Sequence, residues 1–406
     1  MPPSRAVAPV VILICGGIVL SLNLGIRQSF GLFIEPMNAD LGWGVASFSF
    51  AIAMQNLIWG VTQPLFGALA DRYGTARTVM LGGLLYVAGL VVMALPASEL
   101  MFHAGAGLVI GFGLSGTAFA VVLGAIGRAY PPEKRSMALG IGSAMGSFGQ
   151  FAIAPTGQAL IGAAGWSNAL LIYAAACLVI IPCALALAGR PVHDATPGVA
   201  QQSLRAALGE AGRHRGYWLL TIGFFVCGFH VAFIATHLPG YIESVGLDPA
   251  IGGWALALVG LFNILGTLTA GALGGRYRKK YLLSLLYGTR AVVILAFLLV
   301  PPSGASVLVF AAAMGFLWLS TVPLTTGLVA QLFGPRYMAT LFGIVFLSHQ
   351  IGAFVGAWAG GVLFEETGSY DVVWWLSVAL GVAAALIHLP MGDRPVERLR
   401  GQAAAA

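Results

Sequence analysis

The chain has 406 residues, of which 59% are hydrophobic and 8% charged, with 56 glycines. Ordinary soluble proteins carry about 25% charged residues, so a water-soluble enzyme, a nucleic-acid-binding protein and a disordered hub are excluded at once. The formal charge of +6 takes its meaning from where the charges stand.

A bilayer core of about 30 Å needs roughly 20 apolar residues per crossing helix. Twelve runs qualify: 8–34, 45–69, 78–96, 101–127, 137–162, 167–188, 216–240, 250–274, 281–300, 304–331, 338–364 and 371–391. The first follows Arg5 as a signal peptide would, but it is too long and lacks a small-residue cleavage site, so a retained helix is expected. Short alternating segments of the kind that build a membrane barrel are absent from the sequence. Cys15, Cys177, Cys183 and Cys227 all fall in apolar runs without C-x-x-C spacing, which argues against a disulfide framework or a zinc site.

The basic residues segregate. Arg72, Arg77, Arg128, Lys134, Arg135, Arg190, Arg205, Arg213, Arg215, Arg276, Arg278, Lys279, Lys280 and Arg336 fall in every second connection, with Arg5, Arg394, Arg398 and Arg400 at the termini. The intervening connections hold Glu35, Asp40, Glu99, Glu243, Asp248, Glu365, Glu366 and Asp371, with no Lys or Arg. The positive-inside rule then places both termini in the cytoplasm. It also explains the basic balance without nucleic acid. Short loops and an Ala/Gly-rich composition point to a bacterial inner membrane, with one chain, a monomer, holding a complete pathway.

The longest polar stretch, 190–215, divides the chain into an N-terminal six-helix half (1–189) and a C-terminal one (216–406). The halves match at an offset of about 203 residues. Gly25, Arg27, Phe30 and Pro36 align with Gly228, His230, Phe233 and Pro239. Gly67-Ala-Leu and Arg72-Tyr73 align with Gly271-Ala-Leu and Arg276-Tyr277 after one inserted residue. Pro132, Gly140, Gly149 and Gly157 align with Pro335, Gly343, Gly352 and Gly360. Three blocks in one order predict a duplicated six-plus-six, all-α membrane fold.

The segment from Gly67 to Arg77, G-A-L-A-D-R-Y-G-T-A-R, resembles the loop signature of the major facilitator superfamily and stands between helices two and three, where that family carries it. The resemblance implies two pseudo-symmetric bundles and a cytoplasmic gate formed by Gly67, Asp71, Arg72, Gly74 and Arg77. The acidic position is Gly275 in the second half. Gly25-Ile-Arg27-Gln-Ser-Phe-Gly-Leu-Phe-Ile-Glu35, and Tyr130 through Gly140, resemble the monocarboxylate and oxalate/formate group within it. The substrate-binding arginine of that group's helix eight would fall near Thr267 and is missing; Arg290 lies in helix nine instead.

A mid-helix arginine in hydrocarbon costs about 2.5–3.5 kcal/mol on insertion scales, so Arg27 needs a reason. No Asp or Glu lies deep in any run, and a substrate carboxylate, held by the planar guanidinium fork, supplies the missing counter-charge. His230, the repeat partner of Arg27, is expected to face it at similar depth and to carry the coupling proton. Phe30 and Phe233 would close over the apolar part of the substrate. Gln55, Asn56, Gln150, Asn263, His349 and Gln350 would complete a polar lining, or join helices by hydrogen bonds. Arg290 is expected to brace the fold, with a ligand role as the alternative. His237 is expected near a gate.

These features predict a secondary transporter for a small organic anion, most naturally a monocarboxylate, coupled to protons; anion exchange is the first alternative. Nothing in the sequence calls for a cofactor or metal. A cationic-drug exporter would want an acidic cavity residue, and Pro155 follows Ala154 rather than the glycine of the exporter motif. An enzyme would need a nucleophile–base pair or ligand cluster, and a receptor a signalling domain larger than 190–215 can hold.

Overall fold

A computed structural model describes residues 7–188, 203–334 and 337–399. Arg5, Arg190, Arg336, Arg400, Pro335 and the 190–202 part of the linker lie outside the described residues. Among the described residues, twelve helices are long and apolar enough to cross a membrane. In the first half they are α1 (Pro9–Gln28), α2 (Val45–Tyr73), α3 (Thr75–Ala94), α4 (Glu99–Ala129), α5 (Met137–Ala164) and α6 (Trp166–Ala186). In the second they are α7 (Arg215–Ser244), α8 (Ala250–Gly274), α9 (Lys279–Leu299), α10 (Gly304–Phe333), α11 (Thr340–Thr367) and α12 (Asp371–His388). The expected architecture holds: two six-helix bundles, each with its own apolar core.

Apolar side chains gain little by leaving lipid for protein, so small residues that let backbones touch do much of the packing. Gly25 of α1 lies on Gly149 of α5, and a Cβ on Gly149 would sit 2.6 Å from the Ser21 carbonyl carbon. The second half repeats this crossing. A Cβ on Gly228 of α7 would lie 2.7 Å from the His349 carbonyl carbon, and one on Gly352 of α11 would lie 2.8 Å from that of Phe225.

Both α4 and α10 are broken, at equivalent places. Ala118 is extended between the helical stretches of α4, and Trp318 to Ser320 interrupt α10. A break inside hydrocarbon is tolerated when side chains satisfy the freed backbone groups. Asn23 of α1 does so for α4, donating to the Leu114 carbonyl at 3.5 Å and to the Thr117 hydroxyl at 2.5 Å. At α10, Arg290 donates to the Leu317 carbonyl at 2.5 Å and to that of Trp318, while Asn263 accepts from the Leu319 amide at 3.0 Å.

The two halves meet along α2–α11 and α5–α8. At the end carrying the acidic connections they are closed. The Ala46 amide donates to Glu365 at 2.9 Å, Gly252 seats against Leu32 and Pro239, and Gly253 against Pro155 and Gln158. Contact continues inward to Trp59 against Phe346 (ring centroids 5.4 Å apart) and to Asn263 Nδ2 donating to Ser147 at 2.9 Å. Toward the basic end, Gly67, Gly140, Gly271 and Gly343 have nothing within 4 Å of a Cβ built on them. The contacts between the halves thus close the cleft toward its acidic end.

Candidate functional site

Arg27 stands in the last turn of α1, just before the chain tightens into the 3-10 turn Phe30–Phe33. Its Nη2 donates to Asn56 Oδ1 of α2, and Asn56 is itself held by donating to the Ile52 carbonyl at 2.8 Å. The guanidinium carbon sits 5.0 Å from the centroid of the Trp59 ring. Trp59 donates to Gln63 at 2.7 Å and stacks edgewise on Phe346 of α11, so the arginine's platform spans both halves. Arg27 Nε is buried without a partner. Among the described residues the ion pairs are Arg278–Asp393 and Arg398–Glu210, so the charge of Arg27 has no protein counter-ion there.

The second half brings its own polar group to this place. Gln350 Nε2 donates to the Asn56 carbonyl at 3.1 Å, and Gln350 Oε1 meets His349 Nδ1 at 2.9 Å. The His349 ring lies between Phe224 (4.8 Å) and Phe346 (5.7 Å, stacked). Arg27, Asn56, Gln350 and His349 thus form one hydrogen-bonded chain across the interface.

Other expected lining residues serve as helix ties. Gln55 donates to the Ala106 carbonyl of α4 at 2.7 Å. Asn263 joins α8 to α5 and to the break in α10. Gln150 is fully buried where α5 packs on Gly260 of α8, and both its amide atoms lack partners.

His230 does not face Arg27. Its Nε2 bonds the Ser377 carbonyl of α12 at 2.8 Å, and the ring is fully buried within the second half. Equivalence in a repeat fixes height along a helix but not rotation, and one residue of local offset turns a side chain by about 100°. Phe233 likewise packs on Trp374 of α12 with centroids 4.8 Å apart, and Phe30 is sealed in the first-half core. Neither closes over the cleft. His237 bonds the Ala357 carbonyl at 2.7 Å and joins α7 to α11. Arg290 is wholly buried and donates to the Leu317 carbonyl at the break in α10.

In the signature loop, Gly74 takes φ +93°, a value that favours glycine, and ends α2 where α3 begins. Asp71, Arg72 and Arg77 are exposed at the basic end, with Asp71 in electrostatic reach of Arg128 and Arg72 over the Tyr73 ring at 5.3 Å. Trp59 and Phe346 went unnoticed in the sequence reading. Trp59 follows Asn56 by three positions, hence on one helix face, a spacing that links them.

A family model described as Major Facilitator Superfamily matches residues 13–357 and, again, 220–405. Monocarboxylate transporter 13 of Rattus norvegicus is 26% identical over 376 residues, covering 91% of this chain and 86% of the relative. The oxalate:formate antiporter of Oxalobacter formigenes is 21% identical over 398 residues, 95% of this chain and 93% of the relative. Among solved structures, a bacterial homolog of the human lysosomal transporter Spinster, inward-facing and unoccupied, superposes with a TM-score of 0.72 at 16% identity over 96% of this chain and 99% of that one. Family, relatives and fold are those of transporters, not enzymes, and the twelve apolar helices are those of an integral multi-pass membrane protein. With a family match over most of its length and the broken-helix, glycine-packed double bundle described above, the chain belongs to the Major Facilitator Superfamily.

Proposed function

We propose that this protein is a secondary active transporter that moves a small monocarboxylate by alternating access, together with a proton. It would sit in a bacterial inner membrane with the basic end and both termini in the cytoplasm, as the segregation of Lys and Arg requires. The halves 1–189 and 216–406 rock as units joined by 190–215, and the present arrangement is the one open to the cytoplasm.

The observation that carries this reading is the unpaired guanidinium of Arg27, held between Asn56 and Trp59 at the cleft. A carboxylate there gains charge-assisted hydrogen bonds in a place sheltered from water. The aromatic wall of Trp59 and Phe346 suits a short apolar substituent. The names of the relatives, a monocarboxylate transporter and an oxalate:formate antiporter, agree in their class of anion. Anion exchange is the second reading, favoured by the lack of any ion-paired carboxylate in the cleft among the described residues.

The test is uptake of labelled lactate into proteoliposomes, with and without an inward proton gradient, for wild type and Arg27→Ala. Uptake stimulated by the gradient and lost in the variant supports symport at Arg27. Stimulation by internal unlabelled anion alone supports exchange. Uptake that survives Arg27→Ala removes Arg27 from the site.

A further inference from the structure

Gln350 sets the protonation pattern of His349. A backbone carbonyl only accepts, so the amide nitrogen of Gln350 must face Asn56 and its oxygen must face His349. An amide oxygen also only accepts, so His349 Nδ1 carries the hydrogen. In the neutral ring the lone pair then stands on Nε2, ready to take a proton.

The other deep histidines are sealed more completely. His230, His237 and His388 each direct one nitrogen at a carbonyl and are at most 1% exposed, whereas His349 keeps 7%. Around His349, α7 contributes the Cys227 thiol, which is within hydrogen-bond reach of the His349 ring, with Arg290 and Tyr287 of α9 behind it. From α10 comes Thr321, on Cys227 at 3.1 Å, and α12 contributes His388, which is stacked on Tyr287. From α2 comes the neutral Asn56, with Arg27 beyond. No carboxylate is among these groups.

From this geometry we infer that His349, through Nε2, is the proton carrier of the transport cycle, linked to the substrate anchor Arg27 by Gln350 and Asn56; this rests on the monocarboxylate symport reading. A second cation beside Arg27 is disfavoured by repulsion until an anion enters between them. Proton uptake and anion binding therefore favour one another, and by linkage each raises the affinity for the other equally. Nε2 gains a proton from the side on which the cleft is open and returns it after the halves reorient. No bond of the anion is made or broken.

Two measurements on the full-length protein test this. In the nitrogen NMR spectrum of 15N-histidine-labelled protein, the signal deleted by His349→Gln is expected to report the Nδ1–H tautomer. An Nε2–H tautomer overturns the assignment. In proteoliposomes, His349→Gln, whose amide can still donate to Gln350, is expected to lose lactate accumulation driven by a proton gradient. A thermal melt at the wild-type temperature shows that the variant is folded. Accumulation at the wild-type level overturns the inference. If wild type moves no lactate, the substrate reading fails, and the nitrogen spectrum alone decides the assignment of His349.

Discussion

The guanidinium of Arg27 lies over the face of Trp59, 5.0 Å from its centroid, while the same ring meets Phe346 of the opposite half at 5.4 Å. Arg27, the proposed anion anchor, is therefore mounted on a contact that alternating access would remake. A desolvated cation–π pair is worth about 0.5–2 kcal/mol. Trp59→Leu should raise the half-saturating anion concentration by about 2- to 30-fold, the same energy expressed as a ratio. Lactate counterflow across a concentration series measures it, and an unchanged value would make the ring mere packing.

Arg290 is the same residue type in a different situation. It is wholly buried and donates to two carbonyls freed by the break in α10. Arg290→Met leaves those carbonyls unsatisfied, at about 1–3 kcal/mol each. The variant should melt earlier in detergent and give a lower yield, and whatever folds should keep the wild-type half-saturating concentration. A rise in that concentration at unchanged thermal stability would move Arg290 into the substrate path.

The two kinds of glycine in α5 should respond in opposite ways. Gly149 faces the Ser21 backbone at a distance no Cβ can occupy, whereas Gly140 has open space. Gly149→Ala forces α1 and α5 apart, an overpacking cost of about 1–3 kcal/mol, while Gly140→Ala is accommodated here. Paired thermal melts decide this, and equal stabilities would contradict the close crossing.

At the basic end, Arg278 grips Asp393 through Nε and Nη2, at 2.9 and 2.6 Å, and fastens the tail to the start of α9. This hydrogen bond holds the Asp393 carboxyl below its ordinary value of 3.8. The sign follows from the lowered value: the pair stabilises above the ordinary carboxylate range and is lost as pH falls through the folded-state value. Asp393→Asn should lower stability at pH 7 only slightly, since Arg278 is largely exposed. Melts of wild type and variant should converge as pH falls through the lowered folded-state value, and a gap that persists once the carboxyl is protonated would argue against the ionic account.

Much of this was legible in the sequence. Hydropathy is one-dimensional, so all twelve helices stand near their expected runs. The duplication gave the Gly25–Gly149 and Gly228–Gly352 crossings their equivalence before any coordinates. Arg27 was legible as a charge lacking a partner in the sequence. What hydropathy does not encode is the rotation of each helix. That is why His230, chosen for its height, turns to Ser377 instead of the cleft, and why Trp59 went unnoticed among other aromatics. The break in α4 was also hidden, because Ala118 carries no local breaking signal, whereas the one in α10 is marked by Pro323, which has no amide for the Leu319 carbonyl.

The most direct measurement is equilibrium binding of lactate, and of its neutral amide, to purified wild type and Arg27→Gln. Saturable lactate binding by wild type, absent for the amide and lost in Arg27→Gln at unchanged thermal stability, is the result expected of an anion site built on this guanidinium. Lactate bound equally by Arg27→Gln, or the amide bound as well as the anion, would contradict it.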